Sequence, residues 1–399
     1  MLQPFTKPFT QQEPIPEAGI DAAIGVLRSG RLHRYNLEAD EEGFVSRLER
    51  SFADFQGRRY CLALASGGQA MSIALRAAGV GPADVVLTNG FTLAPVPGAI
   101  AAVGAQAVLV EITEDLVIDL NDLALKLEAV RPAAVLLSNM RGHLCDMDAL
   151  VDLCARARVP LIEDCAHTMG ASWNGTLSGS FGLFGCFSTQ TYKHINSGEG
   201  GLLVSDDPDA MARAVMMSGS YMLYGRHGAA PPEVAFERAR LETPNLSARM
   251  DHLRAAILLP QLDGLEAAIA RWNDRHDALA AGLRRIPGVA LAHRPAAERY
   301  VGSSIQFRLP GAPRATLERV VADAAALGVE LKWFGAPDPV GFTSDHHSWR
   351  YQAAQALPQT DAILATLLDM RVPLTFDLAD CAHILRIIEH VLSECHAPT

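Results

Sequence analysis

The sequence predicts an α/β protein with a large, mostly parallel sheet covered by helices on both faces and a smaller C-terminal α+β domain. Two observations carry that prediction. Between about residues 60 and 205, short β-branched or Leu-rich runs alternate with amphipathic segments at helical spacing, the pattern of strands joined by crossover helices. After residue 205 the pattern lengthens into helices, and from about residue 300 it mixes strands and helices again. With 399 residues, 49% of them hydrophobic, the chain can fill two cores.

In order, Pro16 to Leu27 and Glu41 to Phe55 read as helices, joined by Arg28 to Asn36, whose Gly30 and aromatic content mark it as a loop. Strands are expected at Tyr60 to Leu64, Asp84 to Thr88, Gln106 to Glu111, Ala133 to Ser138, Val159 to Asp164, Phe184 to Ser188 and Gly201 to Ser205. Helices at Gln69 to Ala78, Asp122 to Val130 and Asp146 to Arg158 fall between them. A helix from Asp207 to Met217 follows, then a long one from Arg249 to about Arg285, which Pro260 is expected to kink or interrupt. A domain boundary near Ile286-Pro287-Gly288 divides the chain into 1–285 and 286–399. The second part carries strands near Ser303 to Leu309 and Val329 to Trp333, and helices at Arg314 to Leu327, Gln359 to Leu368 and Asp380 to Leu392.

Composition excludes several classes. A net charge of −11 with no basic run beyond Arg58-Arg59 argues against a nucleic-acid partner. No stretch reaches the roughly 18 apolar residues of a membrane span, and the opening residues lack the order of a signal peptide, so a cytoplasmic location is expected. The seven cysteines are scattered without metal-ligand spacing and read as reduced, small core residues; no metal is expected.

Only four of the 34 basic residues are lysines. Lys193 follows a strand-like run and precedes Gly198, Gly200 and Gly201, a setting in which backbone can approach a ligand. Of the others, Lys7 lies in a Pro-bearing tail, Lys126 on a helix with a wet face, and Lys332 on a strand from which it could point outward. Asp164 ends the apolar run Leu161-Ile162, beside Glu163, and alternation sends the two acids to opposite faces. An acid at one strand end and a Lys after a later strand are what pyridoxal 5'-phosphate (PLP) needs: an amine for its aldehyde and a carboxylate for its ring nitrogen. His167 could reach the ring's phenolic oxygen. Ser66-Gly67-Gly68, turning from strand into helix, and the hydroxyl of Ser188 are suited to a phosphate. Taken singly, Lys193 could be a surface cation, Asp164 a helix cap and His167 a structural histidine.

The run of elements Ser66-Gly67-Gly68, Phe91-Thr92, Glu163-Asp164-Cys165-Ala166-His167, Phe187-Ser188, Lys193, Gly198-Glu199-Gly200-Gly201 and Arg249-Met250 resembles the DegT/DnrJ/EryC1/StrS family of PLP-dependent aminotransferases. The resemblance covers nearly the whole chain. It implies the fold-type I PLP architecture with a seven-stranded mixed sheet, and a homodimer with active sites at the subunit interface. It also implies transfer of an amino group from glutamate or glutamine to a keto acceptor such as a nucleotide-linked keto-sugar or a cyclitol, through a pyridoxamine phosphate intermediate. By the same resemblance Lys193 is the Schiff-base lysine, Asp164 the partner of the pyridine nitrogen and His167 the contact to the phenolic oxygen. Gly67, Gly68 and Ser188 form the phosphate cup.

The sequence departs from the family's pattern at three places. Leu93 stands where an aromatic usually covers the ring, so Leu93 serves as an apolar cover or Phe91 reaches in. Ser247 stands where an Asn usually crosses to the partner subunit's phosphate, with Asn245 as a substitute. Gly68 replaces a Thr. A sugar dehydratase of the same fold and a non-catalytic PLP or effector sensor are the competing readings; family dehydratases carry His in place of the Schiff-base lysine, which sets Lys193 against the first. The acceptor is expected to meet the segments Arg31 to Asn36, Tyr221 to His227 and Asp345 to Tyr351, each with aromatic and cationic groups.

Overall fold

The computed structural model describes residues 2–38 and 41–396. Helices α1 (Glu17–Ser29) and α2 (Phe44–Gln56) lead into a regular alternation. It runs β1 (Tyr60–Leu64), α3 (Gly67–Ala77), β2 (Val85–Asn89), α4 (Pro95–Ala102), β3 (Gln106–Val110), α5 (Leu120–Val130), β4 (Ala134–Ser138), α6 (Met147–Ala157) and β5 (Leu161–Asp164). A short hairpin, β6 (Ser172–Trp173) and β7 (Thr176–Leu177), precedes β8 (Phe184–Ser188) and β9 (Gly201–Ser205). Four helices follow: α7 (Pro208–Ser218), α8 (Phe236–Glu242), α9 (His252–Asp263) and α10 (Leu265–Leu283). The C-terminal part comprises β10 (Glu298–Arg299), β11 (Ser304–Arg308), α11 (Arg314–Ala326), β12 (Lys332–Trp333), α12 (Pro358–Leu364), β13 (Leu367–Arg371) and α13 (Leu378–His396).

The seven strands expected between residues 60 and 205 form one sheet in the order β1-β9-β8-β5-β4-β2-β3. Only β9 runs against its neighbours; the other pairings are parallel. The carboxyl ends of β1, β4, β5 and β8 therefore lie along one edge, where open sheets of this kind bind ligands. Alternation along the strands feeds two cores. Cys61, Ala63, Val135, Leu137 and Phe187 pack to one face, and Leu62, Leu64, Leu136, Ile162 and Cys186 to the other.

A third core holds the C-terminal part together, built on the antiparallel sheet β11-β13-β12 and on α11 and α13. Phe5 and Phe9, from the start of the chain, belong to it: both rings meet Phe376 edge-on, at 5.0 and 4.9 Å. The end of α10, through Leu279, Ala280 and Leu283, packs into the same core.

Two expected elements come out differently. Pro260 does not interrupt its helix: α9 continues to Asp263, and the break falls at Gly264. Pro260 forfeits only the bond to the Ala256 carbonyl, which a packed helix tolerates. The helix expected over Gln359 to Leu368 stops at Leu364, and Leu367–Arg371 is the central strand of the small sheet. Leucines are good helix formers, but here pairing with β11 on one side and β12 on the other decides. Helix α4 was not expected in Pro95-Val96-Pro97-Gly98; its prolines occupy the first turn, where their missing N–H groups have no intrahelical partner.

Candidate active site

A cleft of about 490 Å³ opens at the carboxyl edge of the large sheet, between it and the C-terminal part. Lys193 lies in the loop after β8. That loop is closed on itself by Thr189 N–H to the Gly200 carbonyl (2.9 Å) and Ser197 N–H to the Thr189 carbonyl (3.0 Å). Gly200 is needed there, since a Cβ would lie 2.2 Å from Thr189 Oγ1. Half-buried in this loop, Lys193 places its Nζ 2.8 Å from His167 Nε2. Burial, followed by the positive charge of Arg141, brings the pKa of the Lys193 ammonium down to about 7, although Asp164 pulls the other way.

The other nitrogen of His167 fixes its tautomer. Nδ1 accepts the backbone N–H of Arg141 at 3.3 Å, so the proton of the neutral ring belongs on Nε2, facing Lys193. Burial, with the charges of Lys193 and Arg141, drives the His167 pKa well below the ordinary histidine value. A neutral imidazole donating from Nε2 to a neutral amine is the arrangement that both shifts favour.

Asp164 and Glu163 do go to opposite faces. Glu163 is fully buried on the far side, where Gly179, Phe181 and Gly182 donate their N–H groups to its two oxygens at 2.8, 2.8 and 2.9 Å. Asp164 faces the cleft, its carboxylate accepting from Ala166 N–H (3.1 Å) and Ser138 Oγ (3.2 Å). Ser138 is positioned in turn by Thr92 Oγ1, 2.7 Å from its hydroxyl, and by Asn89, whose side chain takes the Ser138 N–H at 2.9 Å. Burial raises the Asp164 pKa, and a cation set against the carboxylate would reverse that shift.

At the head of α3, Ser66 caps the helix by accepting Gln69 N–H (3.1 Å). The N–H groups of Gly67 and Gly68 have no acceptor within the helix. Gly67 lies against Ser188: a Cβ on it would be 2.8 Å from that of Ser188. The Ser188 oxygen accepts Gln190 N–H at 3.3 Å, which leaves its own proton to donate. Free helix N-terminal donors beside a hydroxyl suit a phosphate. With an acid for a ring nitrogen and a lysine of lowered pKa in the same cleft, the residues present fit PLP.

Seven of the expected residues thus meet in one cleft: Gly67, Gly68, Leu93, Asp164, His167, Ser188 and Lys193. Phe91 does not reach in. It is buried edge-on against Phe334 at 5.0 Å, which leaves Leu93 on the cleft wall. Ser247 lies outside the cleft that one chain forms, exposed and held by Asn245 Oδ1, which accepts its N–H at 2.9 Å. The three segments expected near the acceptor do not line that cleft either. Arg34 is buried in a two-pronged pair with Glu49 (2.8 and 2.9 Å), Tyr35 meets His227, and His346 and His347 both reach Asp361. Lys332 points inward rather than out, 3.6 Å from Asp369. Arg141, Tyr192, Phe342 and Arg371 line the cleft without a sequence signal that singled them out. They arrive from separate elements and meet only in the folded chain.

A lysine whose pKa burial lowers, in one cleft with a buried acid at the strand ends of an α/β sheet, suits an enzyme that works on amino groups. The chain belongs to the DegT/DnrJ/EryC1/StrS aminotransferase family, which matches residues 18–390. It is 32% identical over 288 residues to the L-glutamine:scyllo-inosose aminotransferase of Streptomyces griseus, covering 71% of this chain and 67% of that protein. It is 30% identical over 298 residues to the GDP-perosamine synthase of Caulobacter vibrioides, covering 72% and 75%. Among solved structures, Spr1654 from Streptococcus pneumoniae in its PLP form superposes with a TM-score of 0.80 over 98% of this chain and 100% of that one; at 21% identity the likeness concerns the fold. No described helix is long and apolar enough to cross a membrane.

Proposed function

We propose that this chain is a PLP-dependent aminotransferase that moves the amino group of glutamine or glutamate onto the ketone of a polyhydroxylated ring, a cyclitol or a keto-sugar. The observation that carries the reading is the placement of Lys193 Nζ, 2.8 Å from His167 Nε2 and in one cleft with Asp164. One relative is named as an L-glutamine:scyllo-inosose aminotransferase and another as a GDP-perosamine synthase, which supports an amino-group acceptor of this kind and glutamine as a donor. When bound, PLP supplies an aldehyde for amine exchange and a cationic ring that takes up the electron pair left when a substrate carbon loses its proton.

The chain's own residues supply the rest. Gly67, Gly68 and Ser188 hold the phosphate at the head of α3. Asp164 keeps the ring nitrogen protonated, Ser138 keeps Asp164 in place, and Leu93 covers the ring as an apolar lid. His167 donates from Nε2 to the ring oxygen. Lys193, in its neutral form, would hold the cofactor's aldehyde and, as a general base and acid, would move the proton at the substrate carbon. Over both halves the donor's amino group and the acceptor's carbonyl oxygen change places, so the donor leaves as a keto acid.

The working unit in this reading is a homodimer. Tyr221, Met222, Leu223 and Leu246 leave an apolar face exposed around Ser247, which supports a partner subunit covering that face and meeting Ser247 or Asn245.

Protein reconstituted with PLP is expected to lose visible absorbance on addition of L-glutamine while releasing an equal amount of its keto acid. A keto-cyclitol should then restore the absorbance. Borohydride should fix the cofactor to the peptide containing Lys193, and not to Lys193→Ala. Absorbance unmoved by any amino acid donor would leave a binding protein rather than an enzyme.

A further inference from the structure

Strand β13 turns one face toward the cleft. Leu368 and Met370 enter the C-terminal core, and Asp369 and Arg371, on the opposite face, point toward the large sheet. Asp369 already has its cations: Oδ2 lies in ion-pair range of Arg141 at 2.9 Å and of Lys332 at 3.6 Å, and Gln306 Nε2 donates to Oδ1 at 2.8 Å. Arg371 has no such partner. Half-buried in the cleft wall, it makes no ion pair and no side-chain hydrogen bond with any described residue. Its guanidinium carbon lies 3.6 Å from the centre of the Tyr192 ring and 5.9 Å from that of Phe342.

Stacking of this kind holds the guanidinium and leaves its N–H fork unoccupied. The surroundings are cationic. Arg141 and Lys332 face the one carboxylate of Asp369, and the two acids that line the cleft do not pair with Arg371: Asp164 is held by Ala166 and Ser138, and Glu199 sits exposed on the β8–β9 loop. The phosphate-sized site is elsewhere, at the head of α3. An unpaired guanidinium fork in a cationic pocket matches the planar, two-oxygen geometry of a carboxylate. Tyr192, under the fork, is the residue before Lys193, so the bound carboxylate would sit close to the reacting nitrogen. An amino acid's α-carboxylate lies one carbon from its amine and is the nearest carboxylate such a donor can offer.

We infer that Arg371 is the fork that binds a substrate carboxylate, in the first instance the α-carboxylate of the amino donor. This rests on the aminotransferase reading above. The carboxylate could instead belong to the acceptor, as in a keto-uronic acid, and the two sources separate experimentally.

The PLP-loaded protein is offered L-glutamine and 4-aminobutanamide, which is glutamine without its α-carboxylate, and the rate of absorbance loss is followed against concentration. In a second arm the aminated protein is offered a keto-uronic acid and the corresponding neutral keto-sugar. Arg371→Gln should raise the half-saturating concentration of the carboxylate-bearing compound by about 10- to 100-fold. The limiting rate and the reaction of its carboxylate-free counterpart should stay nearly unchanged. Arg371→Lys should recover part of the loss. Glutarate, which has no amine to react, should perturb the absorbance of the wild-type holoprotein at concentrations that leave Arg371→Gln untouched. A penalty confined to glutamine assigns the fork to the donor, and one confined to the keto-uronic acid assigns it to the acceptor. An active wild type and an Arg371→Gln variant with the same discrimination in both pairs and the same glutarate response would overturn the inference alone. A wild type that reacts with no amino donor and ignores glutarate would overturn it together with the aminotransferase reading.

Discussion

Arg141 Nη2 lies 2.9 Å from Asp369 Oδ2, an ion pair in which neither side chain is more than 7% exposed and which ties the large sheet to the small one beneath Lys193. The backbone N–H of the same arginine fixes the His167 tautomer, and its charge lowers the Lys193 pKa. Replacing it strands Asp369 with Gln306 and the more distant Lys332. Arg141→Met should lose about 3–5 kcal/mol of stability, reduced by whatever Lys332 recovers by closing its 3.6 Å gap. Urea unfolding of the two proteins measures it, and an unchanged midpoint would show that the pair does not hold the halves together.

The Lys193 amine must be neutral to capture PLP. With its pKa at about 7, the rate at which the cofactor-free protein takes up PLP should rise tenfold per pH unit up to about 7 and level off above. A lysine at its ordinary 10.5 would still be gaining at pH 9. Stopped-flow absorbance between pH 5.5 and about 9.5 separates the two profiles.

The same lowered pKa carries a stability cost. Below about pH 7, Lys193 is charged in both folded and unfolded chains, and the folded one bears the full burden of burying that charge. Between about 7 and 10.5 the folded chain has released a proton that the unfolded chain keeps, so the burden fades as pH rises. Lys193→Met should therefore stabilise the cofactor-free protein by a few kcal/mol at pH 6 and by less at pH 9. Equal gains at both values would mean that burial of charge is not what Lys193 costs.

Asp164 and Glu163 adjoin in sequence and serve different ends, which substitution should separate. Asp164→Asn keeps shape and stability but removes the charge facing the ring nitrogen, and turnover should fall about 10²- to 10³-fold. Glu163→Gln leaves the cleft intact and disturbs three buried N–H groups of residues 179–182. It should cost about 1–3 kcal/mol with little effect on turnover per folded molecule. Thermal melts and assays on both variants would show the opposite pattern if the facing were reversed.

The large sheet was legible because its strands are short apolar runs punctuated by turn residues, and all seven appear within two residues of where the runs place them. The gathering of Asp164, His167, Ser188 and Lys193 in one cleft was legible for a related reason: they sit at or just past strand ends, so local sequence fixes which edge they occupy. Strand β13 was hidden because Leu367-Leu368 favours a helix until β11 and β12 offer it partners. Arg371 and Arg141 were hidden because what distinguishes them, an aromatic platform for one and a buried carboxylate for the other, comes from residues far away in the chain. Ser247 marks a different limit: it stands exposed outside the cleft, held by Asn245, and only the proposed partner subunit would give it other surroundings.

Phe5 and Phe9 close the C-terminal core against Phe376, and Lys7 bonds Asp380 across 373 residues of sequence. At about 5–20 residues per second of synthesis, Phe5 and Phe9 wait roughly tens of seconds for the surface that will bury them. The large sheet can assemble during that interval with two phenylalanines still unhoused beside it. The C-terminal core is thus completed after the sheet, and a chain stalled short of α13 would carry a finished sheet with an adhesive segment around Phe5 and Phe9.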